Sequence, residues 1–205
     1  MRKTVAVMFG GKSNEHEISV ITGLEVVETI DTDDYNVLPL YIAQDGRWYC
    51  GDELRNKSIY KNAPESLKNL TQVILLPIPG QAGLKVINKK NFLGINKEEF
   101  IPCDVFIPAF HGQFGEDGCI QGLLELANVA YTSSSVTASA IAMDKALCKS
   151  VLKDRGIPSL PDCVVDKEEF ASNMKSEISR IVDSLGSYPL FVKPCLLYTS
   201  DAADE

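Results

Sequence analysis

Apolar residues follow two rhythms along this chain. Short unbroken runs alternate with longer stretches in which apolar positions return every three or four residues, as expected for buried strands alternating with amphipathic helices. The first run, Thr4-Val5-Ala6-Val7-Met8-Phe9, ends in Gly10-Gly11. A continuous run of this kind predicts a parallel strand buried on both faces. Ser13 is the expected cap of the helix that follows, and Glu15 and Glu17 suit its positive end. Val20, Leu24 and Val27 then recur at helical spacing, and Val37 to Ile42 is the next strand. Strand, glycine turn, helix and strand make a βαβ unit. That unit predicts a parallel sheet with a right-handed crossover, and a ligand crevice beyond the carboxyl ends of its strands.

Between Gln44 and Glu99 the pattern weakens. Asp45-Gly46 before Arg47-Trp48-Tyr49 predicts a hairpin. Val73–Leu76 and Leu84–Ile87 read as strands, split by Pro77, Pro79, Gly80 and Gly83. Val105-Phe106-Ile107-Pro108 is another buried strand. Asp117 is the expected cap of a helix with Ile120, Leu123, Leu124 and Ala127 on one face, and Ala130–Thr132 returns as a strand. A longer helix is expected from about Ala138 to Arg155, ended by Gly156 and Pro158. After Pro161 the pattern predicts a strand over Asp162–Val165, an amphipathic helix over Lys167–Leu185 and a strand over Leu190–Lys193.

The 205 residues suffice for one large or two small domains. A net charge of −8 without a basic stripe argues against nucleic acid or an anionic membrane as partner. No apolar run approaches the length of a membrane span, and Met1-Arg2-Lys3-Thr4 leads into the first strand without a signal-peptide core. The six cysteines form no CxxC and no zinc-like spacing, so no metal site is expected in this chain. Cys119 and Cys148 fall in helical patterns as small hydrophobes, and a reducing, cytoplasmic compartment is expected.

The richest chemistry lies in His111-Gly112-Gln113-Phe114-Gly115-Glu116-Asp117-Gly118-Cys119-Ile120-Gln121-Gly122. Its glycines allow close backbone approach to a ligand, and a histidine at a strand end can titrate or donate near neutral pH. Such a loop suits a small charged substrate.

Together with Leu123-Leu124-Glu125-Leu126, this segment resembles the D-alanine–D-alanine ligase family. So do Met143-Asp144-Lys145-Ala146-Leu147-Cys148-Lys149 and the N-terminal Phe9-Gly10-Gly11-Lys12-Ser13-Asn14-Glu15-His16-Glu17-Ile18-Ser19, and the three stand in the family's order. The resemblance covers residues 1 to about 194 and only the first part of such a ligase. It implies an α/β fold: a parallel-sheet pre-ATP-grasp (Rossmann-like) domain over 1–137, then the start of an ATP-grasp domain over 138–194.

The implied reaction is ATP-dependent joining of two D-alanines through an acyl phosphate, for peptidoglycan precursors. Cytoplasmic homodimers are implied, with ATP and Mg²⁺ (or Mn²⁺) as cofactors. A ligase making D-alanyl-D-lactate or D-alanyl-D-serine stays open. So does a non-catalytic module holding a small anion at Gly10-Gly11.

By resemblance, Glu15 holds the ammonium of the first D-alanine, and a carboxylate there makes a charge-assisted hydrogen bond. Read by itself, it would be a first-turn acid complementing the helix dipole. His111 is implied near the acyl-phosphate centre as a donor; otherwise it is a strand-end histidine bonded to backbone. His16 is left open between the two kinds of role. Glu116 and Asp117 could pass for an acid/base pair, but Asp117 is better read as a cap and Glu116 as structural. Lys145 and Lys193 are implied to reach ATP phosphates, which need positive charge placed in advance. Lys145 could equally be a solvated helix lysine, whereas Lys193 closing an apolar strand without a partner would be costly.

After Phe191-Val192-Lys193-Pro194 the family's glycine loop is replaced by residues 195–205, which contain no glycine. Without glycine a loop cannot easily turn successive N–H groups onto phosphate, and residues 195–205 are expected to be non-native. The glycine loop, adenine anchor, acidic metal ligands and an arginine for the tetrahedral intermediate are implied beyond Pro194. The 205 residues by themselves are therefore expected not to catalyse.

Overall fold

The computed structural model describes residues 2–87 and 99–195. The chain separates into two compact units, Met1–Ala140 and Ile141–Glu205.

In the first unit, seven described strands form one sheet in the order β6-β5-β4-β3-β2-β1-β7. β1 (Lys3–Gly10) pairs in parallel with β2 (Tyr35–Ile42) along its whole length, from Lys3↔Tyr35 to Gly10↔Ile42. On its other edge it pairs in parallel with β7 (Val105–Pro108), from Val5↔Val105 to Met8↔Pro108. These three strands are the parallel sheet that the βαβ pattern predicts. From β2 outward the sheet turns antiparallel through β3 (Trp48–Cys50), β4 (Thr71–Leu75), β5 (Gly83–Val86) and β6 (Glu99–Pro102). The β2–β3 pair is the hairpin expected at Asp45-Gly46. The pattern gave no sign of β6.

β1 is buried on both faces, and its side chains alternate between two cores. Ala6 and Met8 join Leu40, Phe106, Ile120 and Leu124. Val5, Val7 and Phe9 join Val20, Leu24, Val27 and Tyr41. One face is therefore covered by α1 (His16–Thr29) and the other by α3 (Cys119–Ala127). Period-two alternation under a continuous apolar run is the signature of such a doubly covered strand. Leu54 and Leu67 also enter the α1-side core, from the short turns Asp52–Arg55 and Glu65–Leu67 that flank the single turn α2 (Ser58–Lys61).

Several local expectations change. Ser13 does not cap α1, because its hydroxyl donates to His111 O at 2.7 Å and accepts from Glu15 N at 3.2 Å. The N-cap residue is Glu15, with no side-chain cap bond. Asp117 lies one residue before the actual N-cap, Gly118, but still takes the Cys119 N–H at 3.0 Å. Cys119 is exposed at the helix start and does not serve as an apolar filler. Ala130–Thr132 shrinks to one parallel bridge, Phe106↔Tyr131.

The helix expected over 138–155 is two helices, α4 (Val136–Met143) and α5 (Lys145–Asp154). Asp144 breaks it: its backbone is extended and its carboxylate caps Ala146 N and Leu147 N, both at 3.0 Å. In the second unit, the helix expected over 167–185 divides at Asn173 into α6 (Lys167–Ser172) and α7 (Met174–Leu185). Asp162–Val165 and Leu190–Lys193 are not strands. Strand structure needs a paired neighbour, and neither segment has one among the described residues. No described helix is long and apolar enough to cross a membrane.

Two close contacts between α1 and the sheet each give a prediction. A Cβ at Gly23 would lie 2.3 Å from Phe9 Cβ. For Gly23→Ala, overpacking of about 1–3 kcal/mol should exceed the roughly 1 kcal/mol of helix propensity gained, so urea unfolding should show a net loss of stability. Buried Ser19 accepts from Gly10 N and donates to Ala109 O, both at 2.8 Å, joining β1, α1 and the end of β7. Ser19→Ala strands both partners and should cost roughly 2–3 kcal/mol in the same measurement.

Candidate functional site

The parallel strands β2, β1 and β7 end at one edge, where two loops leave the sheet. The first leaves β1 at Gly10, with φ +91°. A Cβ there would lie 2.3 Å from Ile42 O, so only glycine fits. Its amides are already committed: Gly10 N–H goes to Ser19 Oγ, and Gly11 N–H to Ile42 O at 2.7 Å. Neither is left for an anion, which removes the physical basis for an anion-holding Gly10-Gly11 module.

The second loop follows β7 and is folded by its own acids. Glu116 Oε2 accepts the Gly112 N–H at 2.8 Å. Asp117 accepts Phe114 N–H at 2.8 Å and Cys119 N–H at 3.0 Å. Burial raises the Asp117 pKa, but these backbone donors outweigh it and hold the carboxyl below the usual range. Both acids therefore shape the loop and do not form an acid/base pair. Buried Gln121 braces it, with Nε2 donating to Gly115 O at 2.9 Å and to Ser133 Oγ at 3.1 Å.

Where these loops touch, the Glu15 carboxylate lies beside Gly112, the residue after His111. The Ser13 hydroxyl joins the loops through His111 O. Gly112 has φ +73°, and a Cβ on it would come within 2.6 Å of Glu15 Oε2. The missing side chain makes room for the carboxylate. Glu15 Oε2 is buried and has no hydrogen-bond partner among the described residues. A buried, unsatisfied carboxylate oxygen is costly and calls for a donor, best a cationic one. The His111 ring lies against α1, with Nε2 3.0 Å from Thr22 Oγ1.

The two lysines belong to the second unit. Lys145 is the first residue of α5, and its backbone N–H donates to Cys195 O at 3.1 Å. The start of α5 is thereby bonded to the segment that carries Lys193. Lys193 is exposed and not in a strand, so the cost of burial first argued for it does not apply. Among the described residues no three His, Cys, Asp or Glu side chains gather to hold a metal ion.

The sequence pattern left several participants unrecognised. Thr22, Ser19 and Gln121 act through partners distant in the chain or across a loop, and no local spacing marks them. His16, left open, is buried and bonded on both ring nitrogens, to Gly11 O at 2.6 Å and Tyr41 OH at 3.0 Å. His16 and Tyr41 also line a cavity of about 610 Å³ between α1, the β2–β3 hairpin and the α2 region, a wall that includes neither Glu15 nor His111.

Comparison with known proteins bears on the same segments. A family profile described as D-ala D-ala ligase N-terminus matches residues 4–134. A D-alanine–D-alanine ligase of Chlorobium limicola is 37% identical over 202 residues, covering 97% of this chain and 53% of that protein. One from an Arthrobacter species is 38% identical over 192 residues, covering 93% and 49%. The solved D-alanine–D-alanine ligase of Coxiella burnetii superposes with a TM-score of 0.77 at 30% identity, covering 98% of this chain and 55% of that one. The VanG D-Ala:D-Ser ligase of Enterococcus faecalis gives 0.74 at 28%, covering 98% and 54%. The chain spans about half the length of the curated relatives it matches. With its parallel βαβ core, its paired loops and this profile match, the chain belongs to the D-alanine–D-alanine ligase family.

Proposed function

We propose that this chain is part of an ATP-dependent ligase that joins D-alanine to a second D-amino acid, D-alanine by preference. The supporting observation is the buried Glu15 oxygen, without a partner among the described residues, in the cradle made by Gly112. An α-ammonium is a compact three-donor cation that would satisfy it. On this reading residues 1–137 form the N-terminal ligase domain, and 138–194 open the ATP-grasp domain. The described structure includes Cys195 but not residues 196–205, so the expectation of a non-native tail falls mainly outside it.

The residues divide the work by chemistry. Glu15 binds the ammonium of the first substrate and orients its carboxylate. His111, held by Thr22, donates a hydrogen bond at that carboxylate. Lys145 and Lys193, on segments bonded through Lys145 N and Cys195 O, neutralise phosphate oxygens. ATP supplies the phosphoryl group that turns a carboxylate, a poor electrophile, into an acyl phosphate open to attack by an amine. Divalent-metal ligands are expected elsewhere in the complete enzyme. A cytoplasmic homodimer belongs to the same proposal.

The likeness to a D-Ala:D-Ser ligase keeps D-serine as a second reading for the acceptor.

The test uses a protein extended to the full length of its relatives. D-alanine should trigger phosphate release from ATP, with D-alanyl-D-alanine detected by mass spectrometry. A protein that forms no dipeptide with any D-amino acid acceptor would refute the reading. Glu15→Gln keeps the shape and removes the charge; it should raise the KM of the first D-alanine about 10- to 100-fold, the value of a charge-assisted hydrogen bond. Lys145→Met should instead weaken ATP binding and leave D-alanine binding unchanged, as titration calorimetry can distinguish.

A further inference from the structure

We propose that His16 is a positioning residue, which holds Glu15 in place through the Gly11 carbonyl and does not itself touch substrate. The inference rests on the ligase reading and adds a residue to that site.

Both ring nitrogens of His16 are engaged, and the partners dictate which one carries the proton. Gly11 O can only accept, so Nδ1, 2.6 Å away, carries hydrogen. In the neutral ring Nε2 is then the acceptor, and Tyr41 OH, 3.0 Å away, donates to it. Burial, with a smaller effect from Asp45 and Tyr49, raises Tyr41 to about 12, so its hydroxyl keeps the proton it must give. The Tyr41 ring is itself locked edge-on against His16 at 5.5 Å and against Tyr60 at 5.1 Å. A directed relay results, from Tyr41 O–H to Nε2 and from Nδ1–H to the Gly11 carbonyl.

This relay closes the loop that carries Glu15. Gly11 N–H is tied to Ile42 O on β2, and Gly11 O to His16 on α1. Ser13 ties the middle of the loop to His111 O and takes the Glu15 N–H. Glu15 O accepts from Ser19 N at 3.0 Å. The backbone on either side of Glu15 is thus bonded to β2, α1 and the loop after β7, while Glu15 Oε2 has no partner among the described residues. A site held to a fraction of an ångström depends on such a supporting shell. Both ring nitrogens of His16 are taken by protein partners, so neither is left to bond a ligand held by Glu15.

Two substitutions separate the tether from simple packing. His16→Asn puts an amide N–H near the place of Nδ1, and His16→Gln puts it near Nε2. In the full-length ligase, H16N should keep the KM of the first D-alanine within about threefold of wild type. H16Q should raise it about tenfold with kcat and the KM for ATP little changed, the loss of one hydrogen bond in binding. Indistinguishable variants, or a loss in kcat alone, would overturn the proposal. The wild-type 205-residue chain gives an independent measurement. Long-range ¹H–¹⁵N NMR should show His16 with Nδ1 protonated and Nε2 bare at neutral pH, and the opposite tautomer would overturn the proposal even if neither variant folds. A wild-type enzyme without D-alanine-dependent turnover would instead sink the ligase reading, a result separate from the tautomer.

Discussion

A strand buried on both faces needs a paired neighbour on each edge and a helix against each side, and β1 has all four. Its edges are satisfied by β2 and β7, and its faces by α1 and α3. Burying apolar side chains such as Met8 and Phe9 contributes about 1.5–3 kcal/mol apiece, so this sandwich outweighs any single polar contact in the unit. It also sets where chemistry can occur. Parallel neighbours must end at the same edge, so the loops after β1 and β7 come together even though about a hundred residues separate them in the chain.

At that edge nearly every polar group described is spent on shape. The amides of Gly10 and Gly11, the acids Glu116 and Asp117, and the hydroxyls of Ser13 and Ser19 bond to backbone or to each other. Two buried side-chain oxygens stand out against this background, Glu15 Oε2 and Gln121 Oε1, neither with a hydrogen-bond partner among the described residues. Leaving an amide oxygen unpaired costs less than leaving a buried carboxylate oxygen unpaired, so Glu15 is the one of the two that calls for a cationic donor. Glycine at 112 is part of the same arrangement, since any side chain there would occupy the space of the Glu15 carboxylate.

The second unit is built differently. Its helices α5, α6 and α7 have no buried residues, and Phe191 and Val192 are 88% and 78% exposed. Local signals dominate there. Asp144 and Asp166 each cap a helix start through two backbone amides, as short polar side chains do wherever packing does not compete. The Asp144 cap explains why the helix expected over 138–155 divides; the break at Asn173 between α6 and α7 has no side-chain cap bond behind it.

Much of the first unit was legible in the residues. Periodicity located β1, α1, β2, β7 and α3, because burial on one or two faces leaves a direct trace in the order of apolar positions. The family resemblance, carried by three motifs in order, pointed to Glu15 and His111 as candidate site residues. The sequence could not show that Ser13 would serve His111 O and not the helix end, or that Thr22 would hold the His111 ring. Nor could it assign His16 to Gly11 and Tyr41. Those choices depend on which donor finds which acceptor once distant segments touch, and hydrogen bonds, unlike hydrophobic burial, are directional and decided at distances of about 3 Å. The order of residues determined which faces are buried; only the folded chain decided which polar atoms are paired, and that Glu15 Oε2 has no partner among the described residues.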